Sequence, residues 1–307
     1  MSISYNHVAL IGLGLISSSI ALALRRAGFK GRITGSARTE ATRKTAEELG
    51  LCDAVFASNV DAAKGADLVI LCVPVGVMGN VTAEIASVLE PGATLTDVGS
   101  VKGQVITDLL PVVPDGVHFI PGHPLAGTEQ SGPEAGFASL FDNRWCILTP
   151  VEGTDIEAQN RLEAFWIALG SNVDIMDADH HDLVLVVTSH APHLIAYTMV
   201  GVADDLARVT QSEVIKYSAA GFRDFTRIAA SDPTMWRDVF LNNKAATLDI
   251  LGRFTEELFA LQRAIRTGDG EALFDYFTRT RAIRRSVIDA GQDIDVPNFG
   301  RTPKNKD

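Results

Sequence analysis

His7-Val-Ala-Leu-Ile-Gly-Leu-Gly-Leu-Ile-Ser-Ser-Ser-Ile-Ala-Leu-Ala-Leu-Arg-Arg-Ala-Gly28 is the stretch on which the reading of this fold turns. Residues 8–11 are a short apolar run of the kind that forms a buried strand, and Gly12-Leu13-Gly14 supplies a turn. Residues 17–27 then carry helical periodicity, and Gly28 supplies a stop. Strand, glycine turn and helix in this order form the start of a dinucleotide-binding domain. Gly12 permits the tight turn, Gly14 lets the backbone approach a pyrophosphate, and the helix start at Leu15 and Ile16 offers its N–H groups to phosphate. The third fingerprint position, usually glycine, is Ser17. A glycine-rich turn with no ligand is the structural alternative.

Working outward, further strand-like runs fall at 32–36, 67–74, 94–98, 118–121 and 145–150, with amphipathic segments at 40–49 and 77–89 between them. This alternation predicts an α/β Rossmann-type doubly wound sheet, with Val73 and Pro74 at a strand end beside the cofactor. A helix over 155–169 and a short strand over 172–176 complete a first domain at 1–176. The remainder, 177–307, reads as an all-α helical domain. There Leu251, Phe254, Leu258, Leu261 and Ile265 form a seam that suits either intramolecular packing or a homodimer contact. The tail after Gly291 is polar.

The chain has 307 residues, 46% hydrophobic and 21% charged, which is enough for two folded domains. A net charge of -11 argues against a nucleic-acid or anionic-membrane partner. Cys52, Cys72 and Cys146 show no metal or redox spacing and read as reduced thiols, with Cys72 and Cys146 in apolar strands. Residues 183–203 are apolar, but His190, Pro192 and His193 interrupt them, so a buried core helix is expected there and not a membrane span. With no signal-peptide pattern at the start, a cytoplasmic location is expected.

Cofactor choice is read at the end of the second strand. Strict NAD users place an acid there for the ribose hydroxyl, whereas this chain has Gly35-Ser-Ala-Arg-Thr39. Ser36, Arg38 and Thr39 suit a 2′-phosphate, with Arg38 supplying charge, so NADP is favoured over NAD and use of both is allowed.

Two further strand ends point at one place. Thr96-Asp-Val-Gly-Ser100-Val-Lys102 closes the strand begun at 94, and Gly122-His123-Pro124 closes the one begun at 118. A nicotinamide enzyme that oxidises an alcohol carbon needs a base there, and His123 with Ser100 can deprotonate and orient a hydroxyl. Ser100 suits a helix cap equally well, and His123 a brace for a Pro-rich loop.

At this point the sequence resembles the prephenate/arogenate (cyclohexadienyl) dehydrogenase family of tyrosine biosynthesis. The resemblance rests on Gly12-Leu-Gly-Leu-Ile16, Asp97-Val-Gly-Ser-Val-Lys102, Gly122-His-Pro-Leu-Ala-Gly-Thr-Glu129 and Ser189-His-Ala-Pro-His193. It is completed by Gly221-Phe-Arg-Asp-Phe-Thr-Arg-Ile-Ala-Ala-Ser-Asp-Pro-Thr-Met-Trp236. It implies oxidative decarboxylation of prephenate or arogenate, with hydride passing to NAD or NADP. His123 would take the proton of the C4 hydroxyl and Ser100 would orient it. The resemblance further implies that His193 contacts substrate and that Arg227 grips a substrate carboxylate. Arg223, one helical turn before Arg227, would assist or pair with Asp224; Glu129 is an acid near the site mouth or a solvated loop acid. Trp236 suits a pocket wall, an interface or the core. Metal binding by His190 and His193 is not expected, although His180 and His181 lie upstream.

Two other readings compete. A β-hydroxyacid dehydrogenase would use a lysine from the helical domain, where Lys216 and Lys244 stand. A non-catalytic dinucleotide-sensing dimer would bind cofactor without turnover.

Overall fold

The computed structural model describes residues 3–207 and 217–289; Lys216 and the tail after Gly291 lie outside them. The first part of the chain alternates β1 (His7–Ile11), α1 (Leu15–Arg26), β2 (Arg32–Ser36), α2 (Glu40–Glu48), β3 (Ala54–Phe56), α3 (Asn59–Ala63) and β4 (Leu68–Leu71). It continues with α4 (Met78–Ile85), β5 (Thr94–Asp97), α5 (Gly103–Leu109) and β6 (His118–Phe119). These six strands form one parallel sheet in the order β3-β2-β1-β4-β5-β6. The direction of build reverses between β1 and β4. Beyond the carboxyl ends of the strands at such a point, a doubly wound sheet leaves its ligand crevice.

Both sheet faces are dry, which is why the strands read as unbroken apolar runs. Val8, Leu10, Ile33, Leu68 and Ile70 share one core with Ile20 and Leu24 of α1. Ala9, Ile11, Val69, Leu71 and Leu95 share the other with Met78, Ile85, Val105 and Leu109 of α4 and α5. Each fully buried Leu, Ile or Val side chain contributes about 1.5–3 kcal/mol.

The structure departs from the single sheet expected from sequence. Gly122–Pro124 (β7), Trp145–Leu148 (β8) and Asn172–Ile175 (β9) form a separate three-stranded sheet, with α6 (Ile156–Ala168) between β8 and β9. In it β7 runs antiparallel to β8, and β8 runs parallel to β9. His123 therefore sits in its own short strand and not at the end of β6. The ladder to β5 continues through Ile120, whose N–H donates to Leu95 O at 2.9 Å; the next N–H on that side, that of Gly122, goes to the Asp97 carboxylate at 3.2 Å and not to a main-chain carbonyl. The three cysteines are unbridged, and Cys72 is half-buried, less enclosed than its apolar run suggested.

After β9 the chain is helical. Asp177 caps α7 (Ala178–Leu185), accepting the His180 N–H at 2.8 Å. A π-helical turn, Val186–His190, joins α7 to α8 (Ala191–Ala207). Then come α9 (Ala220–Thr226), α10 (Pro233–Asn242), α11 (Lys244–Thr267) and α12 (Gly270–Asp289). Ala178–Leu206 is long and apolar enough, by length and composition, to cross a membrane. It is not the core helix expected from sequence: only 28% of its most apolar stretch is buried within this chain. One face packs inward while Leu183, Val187, Met199, Val200 and Val202 remain exposed.

By compactness Met1–Ile250 forms one unit and Leu251–Asp307 a second. Within the second, the seam falls on α11, where Phe254, Leu258 and Ile265 are exposed, and α12 exposes Phe274, Phe277 and Ile283.

Candidate active site

The cofactor cradle is built by the β1–α1 turn. Gly12 has φ +97, and a Cβ on it would come within 2.8 Å of Cys72 O and of the Val73 side chain. Only glycine fits there, with the chain after β4 pressed against it. At Gly14 a Cβ would meet nothing within 4 Å, so the helix start faces open space into which a pyrophosphate can come. Ser17, in place of the third glycine, is fully buried, and its Oγ accepts the Gly14 N–H at 2.8 Å. That hydrogen bond closes the first turn of α1, a role glycine could not fill. The first turn carries no acidic side chain to oppose a phosphate. The loop therefore fits a dinucleotide, with Leu15 and Ile16 at the helix start and Val73 and Pro74 flanking it.

At the end of β2, two of the three residues expected to meet a 2′-phosphate already have partners. Ser36 Oγ donates to Asn59 Oδ1 at 2.8 Å, and Thr39 Oγ1 caps α2 by accepting the Thr42 N–H at 3.2 Å. Arg38 is exposed. Arg43 steadies the same loop, donating to Ala37 O and Arg38 O at 2.9 Å each.

Beneath the crevice lies a fully buried ion pair, Lys102 with Asp97. It holds both polar groups of Gly122: Lys102 Nζ donates to Gly122 O at 2.7 Å, and Asp97 Oδ1 accepts the Gly122 N–H at 3.2 Å. Asp97 Oδ2 also accepts the Gly99 N–H at 2.8 Å. One ion pair thus ties the Ser100 loop to the residue before His123. Burial pulls the Lys102 pKa down, and Asp97 opposes that shift.

His123 is 8% exposed. Burial is the main cause that pushes its pKa well below the ordinary imidazole value, followed by the charges of His181 and Lys102. The resulting neutral ring is the form a general base needs. Its Nδ1 lies 2.9 Å from His181 Nε2, and His181 Nδ1 lies 2.8 Å from Asp182 Oδ1. The ring bonds to α7, through His181.

Ser100 is half-buried, and it does not cap α5. That helix begins after Lys102 with no side-chain cap of its own. Its cap comes from Asp182, whose two carboxylate oxygens accept the Lys102 N–H at 2.8 Å and the Gly103 N–H at 2.9 Å. His190, at the end of the π turn, lies against the Ser100 main chain, and burial lowers its pKa to about 4. π turns of this kind commonly mark functional positions.

A second cluster surrounds Arg227. Its Nη1 donates to Glu129 Oε2 at 2.8 Å, so the sequence-predicted carboxylate grip and the mouth acid meet. The pair is 48% and 32% exposed, and a pair this wet is worth only about 0–1 kcal/mol. His193 is within electrostatic reach of Arg227, and its pKa is lowered, chiefly by burial. Its Nδ1–H donates to Ser189 O at 2.8 Å, which leaves Nε2 as its free acceptor. Trp236 is a wall for this histidine, stacked on it with ring centroids 3.7 Å apart. Arg223 lies exposed on α9; among the described residues no hydrogen bond joins its side chain to Glu129 or His193. Lys244, the lysine a β-hydroxyacid reading would use, is exposed at the start of α11.

Sequence reasoning missed four participants: Asp97, Lys102, His181 and Asp182. Asp97 and Lys102 had a signal, charged residues flanking Ser100 at the end of an apolar strand. The adjacent His181-Asp182 pair had none that pointed to His123.

Comparison with known proteins gives the family of the chain. The model of the prephenate dehydrogenase nucleotide-binding domain matches residues 20–175, and that of the prephenate dehydrogenase dimerization domain matches 177–279. The chain is 41% identical to a cyclohexadienyl dehydrogenase of Zymomonas mobilis, over 92% of this chain and 96% of that one. Among solved structures, it is similar to prephenate dehydrogenase from Aquifex aeolicus in complex with hydroxyphenyl propionate and NAD+. That likeness has a TM-score of 0.87 and 34% identity, over 94% of this chain and 100% of the other. It is also similar to arogenate dehydrogenase from Synechocystis, with a TM-score of 0.75 and 27% identity over 91% and 99% of the two chains. With both of its parts matched by the family models, the chain belongs to the prephenate dehydrogenase family.

Proposed function

We propose that this chain oxidatively decarboxylates prephenate, arogenate or both, with NAD or NADP as oxidant, in tyrosine biosynthesis. The observation that carries this reading is the buried His123, whose burial favours the neutral ring, held beside the Ser100 loop by the Asp97–Lys102 pair. A bound nicotinamide dinucleotide supplies the acceptor for the C4 hydride. His123 takes the C4 hydroxyl proton as that hydride leaves, and Ser100 orients the hydroxyl. The bond from the ring to its carboxylate then breaks, CO2 departs, and the bonding pair enters the ring. The C4 oxygen regains a proton, which His123 can return, and the ring becomes aromatic. With aromatisation as driving force, alignment and proton transfer are what the protein supplies.

The cradle formed by Gly12, Gly14, Leu15, Ile16, Val73, Pro74 and Ser100 holds the cofactor in this reading. Exposed Arg38, beside Arg43 and with no neighbouring acid at the strand end, favours NADP while allowing NAD. Arg227 grips a substrate carboxylate, with His193 beside it and Arg223 in support. Arg227→Ala should raise KM for prephenate roughly 10- to 100-fold, the worth of hydrogen bonds to a charged group, with a smaller change in kcat. An unchanged KM would give the carboxylate to another residue.

We place the boundary between the nucleotide-binding and helical domains at 176/177 and infer a homodimer through the helical part. Support comes from the dimerization-domain match and from the apolar side chains that α8, α11 and α12 leave exposed. The reading is tested by offering purified protein prephenate and arogenate, each with NAD and with NADP. Reduced nicotinamide and CO2 in equal amounts are expected from at least one pair. Cofactor binding with no turnover in all four would favour the dinucleotide sensor.

A further inference from the structure

The ring nitrogens of two histidines and one carboxylate lie in a chain across 60 residues of sequence, and their chemistry assigns every proton in it. Asp182 Oδ1 stands 2.8 Å from His181 Nδ1, and a carboxylate facing a ring nitrogen calls for N–H on that nitrogen. Burial lowers the His181 pKa and so favours the neutral ring, in which a protonated Nδ1 leaves a lone pair on Nε2. That lone pair lies 2.9 Å from His123 Nδ1, which must therefore be the donor. In a neutral His123 this leaves Nε2 bare.

We propose that His181, itself oriented by Asp182, is a positioning residue that locks His123 in the tautomer whose Nε2 can accept the substrate proton. The proposal rests on the base role of His123 stated above. When His123 takes that proton, its Nδ1–H already points at an acceptor, so the new positive charge forms against a prepared partner and no ring has to turn. Without His181 the buried ring divides between two tautomers, one of which presents N–H to a hydroxyl that needs a base. Asp182 is the weaker handle for testing this, because it also caps α5 and so supports the Ser100 loop. Among the described residues the His181 side chain hydrogen-bonds His123 and Asp182 alone, so its replacement isolates the effect.

The test compares His181→Leu, which removes the acceptor, with His181→Gln, whose Oε1 can stand near the position of Nε2. For His181→Leu we expect kcat to fall on the order of 10²-fold, with KM for substrate and cofactor within about twofold of the parent. His181→Gln should recover most of that loss. A second readout needs no turnover: heteronuclear NMR of protein with labelled histidine rings, with His123 assigned by its absence in His123→Asn. The parent should show His123 protonated on Nδ1 alone, and His181→Leu should show a mixed population. Failure of the proposed reaction would appear as a silent parent enzyme with the tautomer pattern intact. The proposal itself is overturned by a parent His123 protonated on Nε2, by unchanged kcat in His181→Leu, or by a rise in KM alone. A His181→Gln variant as damaged as His181→Leu would likewise overturn it.

Discussion

His123→Asn should fold and bind the dinucleotide but lose roughly 10²- to 10⁴-fold in kcat, the range that a positioned general base contributes. Asparagine keeps a polar group in the buried slot and removes the one lone pair able to take a proton. The cradle at Gly12 and Gly14 does not touch that ring, so cofactor affinity should stay. The effect should lie in kcat, because proton transfer is made in the transition state and not on binding. A kcat lowered by that factor with unchanged cofactor affinity is the expected pair of results. An unchanged kcat would remove His123 from the chemistry.

The largest expected effect on stability is at Lys102. Its ammonium and the Asp97 carboxylate are both fully buried, so Lys102→Met leaves a carboxylate in the interior without its counter-charge. Breaking a buried pair from one side costs roughly 3–5 kcal/mol. For a unit of this size that corresponds to a fall in Tm of roughly 6–20 °C. Removing both charges is a different matter: Asp97→Asn with Lys102→Met should regain much of the loss, because the desolvation penalty goes with the charges. Thermal unfolding of Lys102→Met, Asp97→Asn and the double variant checks this, and an additive double variant would contradict it. The restored protein should still turn over slowly, because Gly122 has lost the pair that fixes the residue next to His123.

The β1–Gly–α1 unit was legible because every part of it lies within 20 contiguous residues and each part obeys a local rule. The bounds of β2, the start of β8, the helix over 156–168 and the helical second half were legible for the same reason. The strand Ala54–Phe56 and the helix Asn59–Ala63 are too short to show a period, and neither was seen. The second sheet was invisible for another reason: His123 pairs with Ile147, and nothing local in residues 118–124 says that the strand leaves β5 for a partner more than 20 residues on. At the site, Ser100, His123, His193 and Arg227 could be chosen because each stands in a motif. His181 could not, since its meaning lies in two distances to partners, one of them 58 residues away.

The pH dependence of kcat/KM for the unaltered enzyme asks whether a neutral, buried His123 is the base. A group whose folded pKa is depressed stays neutral down to that lower value, so activity should be level through neutral pH. It should fall in acid only below the ordinary imidazole value of 6.5. An acid limb at or above 6.5, with activity climbing through neutrality, would mean that a different group takes the proton.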